Sequence, residues 1–180
     1  MPAPMEEGNH GGCPCKTSGL TSIPGFATIF IMPKENSRNP IFEDEAFTLE
    51  QSQECAIPGY LLLRLKSGET SLAELEAEKA RALGEALASA AAAIEQAVGA
   101  ERVYVLSFCE VDRRLHFHLF PRTAWLLKEY FKANFNANEP IDGPMLFTWA
   151  RSAFGPGSHV PQGTPDIAAV AEAIRGILEQ

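Results

Sequence analysis

"RRLHFHLFPRT" (residues 113–123) sets two histidines one residue apart between large apolar side chains. Read as a strand, it sends Leu115, Phe117 and Leu119 to one face and Arg114, His116, His118 and Phe120 to the other, because side chains alternate along extended backbone. The first set belongs in a core. The second aligns a guanidinium and two imidazoles with neighbours about 7 Å apart, a row roughly as wide as a di- or triphosphate. A histidine near neutral pH offers a ring lone pair able to attack phosphorus, and a neighbouring one can donate a proton to the departing group. Arg114 would keep His116 unprotonated and stabilise charge on a transferring phosphoryl group. Two other readings stay open. The row can be an ordinary half-exposed strand, since His-x-His arises often by chance. It can also be two ligands of a metal site whose third would have to come from His10, His159, a cysteine or a carboxylate.

Outward from this stretch, "RVYVLSFC" (102–109) reads as a second strand, and with only "EVDRR" between them the two form a short antiparallel hairpin. Further upstream, "ATIFI" (27–31), "PIFED" (40–44), "AFTL" (46–49) and "YLLLRL" (60–65) are β-type runs separated by Pro, Gly and Asn. Between the two groups lies "TSLAELEAEKARALGEALASAAAAIEQAVG" (70–99). Ser71 and Glu74 make a capping box, positions 72, 75, 83, 87, 94 and 98 hold a helical period, and Gly99 suits the left-handed residue after the last turn. The alanine-rich part of this long helix permits close packing on a sheet. Downstream, "TAWLLKEYFKANF" (123–135) and "GPMLFTWARSAF" (143–154) read as helices, and "TPDIAAVAEAIRGILEQ" (164–180) as a third, with Thr164 as N-cap and Pro165 at its first position. Trp125, Trp149, Phe131, Phe135, Phe147 and Phe154 fall at spacings that pack such helices on a core. Strands, one long helix, a hairpin and then helices specify an α+β fold with an antiparallel sheet. The expected organisation is an arm over 1–26, a domain over 27–123 and a helical extension over 124–180 packed on it.

Composition restricts the function. With 180 residues, 46% of them apolar, the chain can bury one sizeable core. A formal charge of −8 leaves no cationic surface of the size a nucleic-acid backbone requires, so no nucleic acid is expected as a partner. "MPAPMEEGNH" at the start carries no apolar h-region, and no stretch reaches the roughly 18 apolar residues of a membrane span. A cytoplasmic protein with no membrane partner is the expectation. Cys13, Cys15, Cys55 and Cys109 are too few and scattered for a disulfide framework, and "HGGCPCK" (10–16) lacks the second pair a tetrahedral zinc site usually draws on.

"LHFHLFPR" (115–122) resembles the core of the histidine-triad (HIT) motif, where histidines alternate with apolar residues ahead of two apolar positions and often Pro-Arg. "FEDEAF" (42–47), "IPGYLLLRLK" (57–66) and "TSLAEL" (70–75), followed by the long helix, are similar to that family's order of elements, so the resemblance spans roughly residues 40 to 123. It implies a five-stranded antiparallel sheet with a helix packed on it, commonly in a homodimer. The chemistry it implies is attack by the central histidine on the α-phosphate of a nucleotide derivative, giving a nucleotidyl-histidine that water hydrolyses. No metal and no cofactor are required. Carried over by position, the central histidine is His116 and the third is His118, while Arg114 stands for the first and Tyr60 for the histidine closing a Pro-Gly-His triplet. Ser52 falls about where the family has an acidic residue for the ribose hydroxyls. Ser107 and Arg113 complete the expected substrate-binding set. The family's Gly-rich loop ending in Gly-Gln, whose amides hold phosphate oxygens, is replaced by "SFCEVDRR" (107–114), which has neither residue. Two outcomes follow: a hydrolase or transferase acting on a nucleoside phosphoanhydride or phosphoramidate, or a nucleotide-binding protein that keeps the fold with little or no turnover.

Overall fold

Residues 40–135 and 140–180 are described by the computed structural model. The expected strand at 27–31, the arm over 1–26 and the Cys13–Cys15 spacing lie outside them. Five strands, β1 (Phe42–Glu43), β2 (Phe47–Gln51), β3 (Leu61–Leu65), β4 (Arg102–Leu106) and β5 (His116–Arg122), form one antiparallel sheet in the order β1-β2-β3-β5-β4. The helices among the described residues are α1 (Ala77–Val98), α2 (Ala124–Ala133), α3 (Gly143–Ala153) and α4 (Ile167–Leu178).

Alternation along β3 and β5 divides the interior in two. Leu61, Leu63 and Leu65 pack with Leu115, Phe117 and Leu119 against Leu83, Ala90, Ala93 and Ile94 of α1 and Val170 and Ile174 of α4. Ala90 and Ala93 lie at full burial, which is the close approach the alanine-rich stretch permits. The opposite face is held by Tyr60 and Phe120 with Leu126 and Tyr130 of α2 and Leu146, Phe147 and Ala150 of α3. The C-terminal helices are therefore split, α4 joining α1 on one side while α2 and α3 cover part of the histidine face.

Several boundaries differ from the sequence reading. The long helix begins at Ala77. Ser71 Oγ accepts from the Ala73 N–H, and the Glu74 carboxylate accepts from the Thr70 backbone N–H and hydroxyl, so the caps close only a 3-10 turn at Leu72–Glu74. Leu75 then returns to extended backbone (φ −76°, ψ 129°), which ends that turn. Gly99 does take the left-handed conformation (φ 61°). α4 is capped by Asp166, whose Oδ1 accepts from the Ala168 and Ala169 N–H groups, in place of Thr164. The strand read over 102–109 stops at Leu106, because the Ser107 hydroxyl donates to the His116 carbonyl (2.8 Å) that a longer ladder would use. Cys109 consequently falls in the loop with φ 51°, a left-handed conformation uncommon for a residue with a Cβ. Phe135 is 89% exposed, whereas Phe147 and Phe154 are buried.

Candidate active site

Register sets the site. In the β3–β5 pairing Arg64 stands opposite His116 and Leu62 opposite His118. Directly opposed residues project to the same face, so the Arg64 guanidinium and the two imidazoles share one surface. The His116 and His118 rings have centroids 5.2 Å apart. Both line a cleft of about 300 Å³ together with Arg64, Arg151 of α3, and the carboxylates of Glu54, Glu110 and Asp112. Phe108, Cys109 and Val111 of the β4–β5 loop complete the wall. A second cleft of about 270 Å³ between β1, β2 and α1 is lined mainly by apolar side chains such as Phe42, Phe47 and Leu63, with no histidine, cysteine or cation of the described residues among its walls.

Hydrogen bonds assign the protons. Nδ1 of His116 lies 2.8 Å from the Arg114 backbone carbonyl, which can only accept. Nδ1 therefore carries the proton of the neutral ring, and Nε2 carries the lone pair. Nδ1 of His118 lies 2.7 Å from Tyr60 Oη. Burial pushes the Tyr60 phenol well above its ordinary range, so Tyr60 keeps its proton and donates it to Nδ1. His118 then presents its own proton on Nε2. Burial, reinforced by the neighbouring His116 and by the Arg151 and Arg64 charges against Glu54, pushes His118 down to about 4, so it is neutral at pH 7.

The predicted residues divide. His116, His118 and Tyr60 come together, whereas Ser52 is buried next to β3, its backbone N–H donating to the Tyr60 carbonyl, and does not line the cleft. Arg114 precedes β5 and does not extend the row. Its side chain is 68% exposed and held at two points by Asp112, with Nε–Oδ1 at 3.0 Å and Nη2–Oδ2 at 2.8 Å. That contact also pushes the Asp112 carboxyl down to about 2. Arg113 is exposed and does not line the cleft, and Ser107 spends its hydroxyl on the His116 carbonyl. The cations the cleft does contain, Arg64 and Arg151, were not among the candidates. Arg64 was legible in principle, as the one charge in "LLLRL" on a strand destined to pair with the histidines. Arg151 carried no signal, because nothing local says that α3 returns to this face. Phe147 belongs here too, its ring 6.1 Å from His118 and 5.3 Å from the Arg151 guanidinium carbon.

Comparison with solved structures decides the architecture. A HIT-like protein from Bartonella henselae, described as involved in cell-cycle regulation, covers 79% of this chain and 88% of its own at 21% identity and a TM-score of 0.52. The fold is that of the histidine-triad proteins. A hypothetical histidine-triad nucleotide-binding protein from Sulfolobus tokodaii matches over 81% of this chain and 86% of its own, with 17% identity and a TM-score of 0.53. A zinc-bound histidine-triad family protein from Mycobacterium smegmatis matches over the same shares, with 15% identity and a TM-score of 0.51. No family model and no curated protein matches the chain by sequence. At these identities the likeness is one of fold, and within the histidine-triad fold the cleft residues above are this chain's own. Among the described residues no three His, Cys, Asp or Glu side chains are grouped to hold a metal ion. No helix among them is long and apolar enough to cross a membrane.

Proposed function

We propose that the cleft is the active site of a histidine-triad-like nucleotide hydrolase or nucleotidyl transferase acting on a nucleoside phosphoanhydride or phosphoramidate. The observation that carries this reading is the 2.8 Å contact of His116 Nδ1 with the Arg114 carbonyl, which leaves Nε2 as an unprotonated nucleophile. Nε2 attacks phosphorus, forming an N–P bond as the bond to the leaving group breaks. The Nε2–H of neutral His118, whose Nδ1 is fixed by Tyr60, donates a hydrogen bond to the charge developing on the leaving group, which departs as a phosphate anion or, where it is an amine, takes its proton from solvent. Water then attacks the nucleotidyl-histidine, its oxygen bonding to phosphorus as the N–P bond breaks and its proton passing to solvent, which releases the nucleotide and free His116. A nucleotide-like ligand agrees with the name of the Sulfolobus protein. A homodimer belongs to the same reading, since β4 is an outer strand of the sheet with Val105 45% exposed on it.

A second reading has its own observation. Glu110 and Asp112 line the cleft from the loop where the family presents amides to phosphate, and losing one preorganised oxyanion donor costs about 10²–10³ in rate. A nucleotide-binding protein with little turnover fits that loop. Phosphorus NMR of adenosine 5′-phosphoramidate and diadenosine polyphosphate with the protein separates the two. Turnover by the wild type and none by His116→Ala supports the enzyme, and a nucleotidyl group trapped on His116 identifies the nucleophile. Equal turnover by both removes His116 from its role. Affinity without turnover or labelling leaves the binding protein.

A further inference from the structure

With Arg114 chelated by Asp112, the proposed reaction lacks a group that grips the phosphate oxygens. We propose that Arg151 is the phosphate-binding arm of the cleft, and that Glu54 is the internal anion it releases when a phosphate arrives. The inference rests on the cleft being a phosphate site.

Two arginines line the cleft, and their tethers differ. Arg64 is three-quarters buried, bonded through Nε to Glu50 (2.9 Å) and through Nη1 to Asp112 (3.2 Å). Glu50 is itself buried, so withdrawing Arg64 would strip a desolvated carboxylate of a cationic partner, which is the expensive way to break an ion pair. Arg64 is a fixed charge. Arg151 meets Glu54 with the arginine side chain 38% and the glutamate side chain 50% exposed. Such exposed pairs contribute little, so exchanging Glu54 for a phosphate costs little while a guanidinium–phosphate contact gains two parallel charge-assisted hydrogen bonds.

The arm is also aimed. Arg151 lies over the Phe147 ring, and Phe147 packs edge-on against His118, so the guanidinium rests on a platform shared with one of the two cleft histidines. Its charge reaches the His118 imidazole, as does the opposing charge of Glu54. Asp142 caps α3 through the Met145 N–H and so fixes the helix that carries both Phe147 and Arg151.

Glu54→Gln and Arg151→Gln each break the same ion pair, so a purely structural pair predicts the same response to both. An arm predicts opposite ones. AMP binding to the full chain, followed by calorimetry, is expected to weaken about tenfold or more in Arg151→Gln and to tighten in Glu54→Gln. Arg151→Lys, which keeps the charge and loses the fork, is expected to fall between wild type and Arg151→Gln. AMP binding by the wild type with both Gln variants shifting alike, or not at all, overturns the arm and leaves the phosphate site standing. Failure of both wild type and His116→Ala to bind AMP overturns the phosphate-site reading and the arm with it.

Discussion

His118 is held neutral by its surroundings, and that makes stability depend on pH in one window. The folded group titrates at about 4 against an ordinary 6.5. Between those values the unfolded chain binds a proton that the folded chain refuses. Unfolding is then favoured as pH falls through 6.5, and the loss levels off below about 4, where both states are protonated. The difference of two and a half pH units corresponds to about 3 kcal/mol. Asp112 acts lower: its carboxyl is pushed from 3.8 to about 2, so the stability it contributes is present above 3.8 and lost as pH falls toward 2. The two windows barely overlap. Urea unfolding of wild type and His118→Asn, from about pH 7.5 to about pH 4.5, isolates the imidazole, because every other titrating group is common to both. The wild-type curve should lose most of that 3 kcal/mol relative to the variant over this range. Parallel curves would mean that His118 is solvated like a free histidine, and the buried Tyr60 contact would no longer account for its tautomer.

Three further outcomes follow from single contacts. Tyr60→Phe leaves His118 Nδ1 without its 2.7 Å phenol partner and is expected to cost about 1–3 kcal/mol in chemical denaturation, and to lower kcat more than it changes KM. Gly59→Ala is expected to lower Tm by several degrees, since Gly59 sits at φ 76° and an added Cβ would meet Val98 Cγ1 at 3.1 Å. Two helix caps should respond in opposite senses: Asp166→Ala removes a carboxylate that serves two N–H groups and should cost about 1 kcal/mol, whereas Thr123→Val removes a buried hydroxyl with no hydrogen-bond partner among the described residues and should leave stability unchanged or raised. Differential scanning calorimetry checks the Gly59 and helix-cap variants, and urea unfolding with steady-state kinetics checks Tyr60→Phe.

The sheet was legible because "YLLLRL" is a short apolar run of β length and the period-2 alternation in "LHFHL" is enforced by burial on one face, where a slip of one residue would invert the strand. The long helix was legible from its apolar stripe and Gly99, and its early start was misread because Ser71 and Glu74 can cap a 3-10 turn as readily as an α-helix. His116 and His118 followed from the same alternation. Arg114 did not, because β5 begins at His116 and Asp112, two positions back from Arg114, takes both its backbone N–H and its guanidinium. Arg151 and Glu54 lie 97 positions apart, and the packing of Phe147 and Phe154 that unites them has no local signature.

Asp112 ties these differences together. Its carboxylate accepts from the Arg114 backbone N–H and guanidinium and from Arg64, fastening the β4–β5 loop to β3 at the mouth of the cleft. A loop fastened by a carboxylate has its negative charge where an amide-lined turn would offer donors. Two cations near the histidines are thereby engaged, one with its side chain outside the cleft and one against Glu50 and Asp112. The cation with the most exposed and separable partner is the one delivered by α3. Dependence on Arg151 therefore follows from the loop's own construction: the more firmly Asp112 holds the arginines beside it, the more an incoming phosphate must rely on a helix outside the β3–β5 frame.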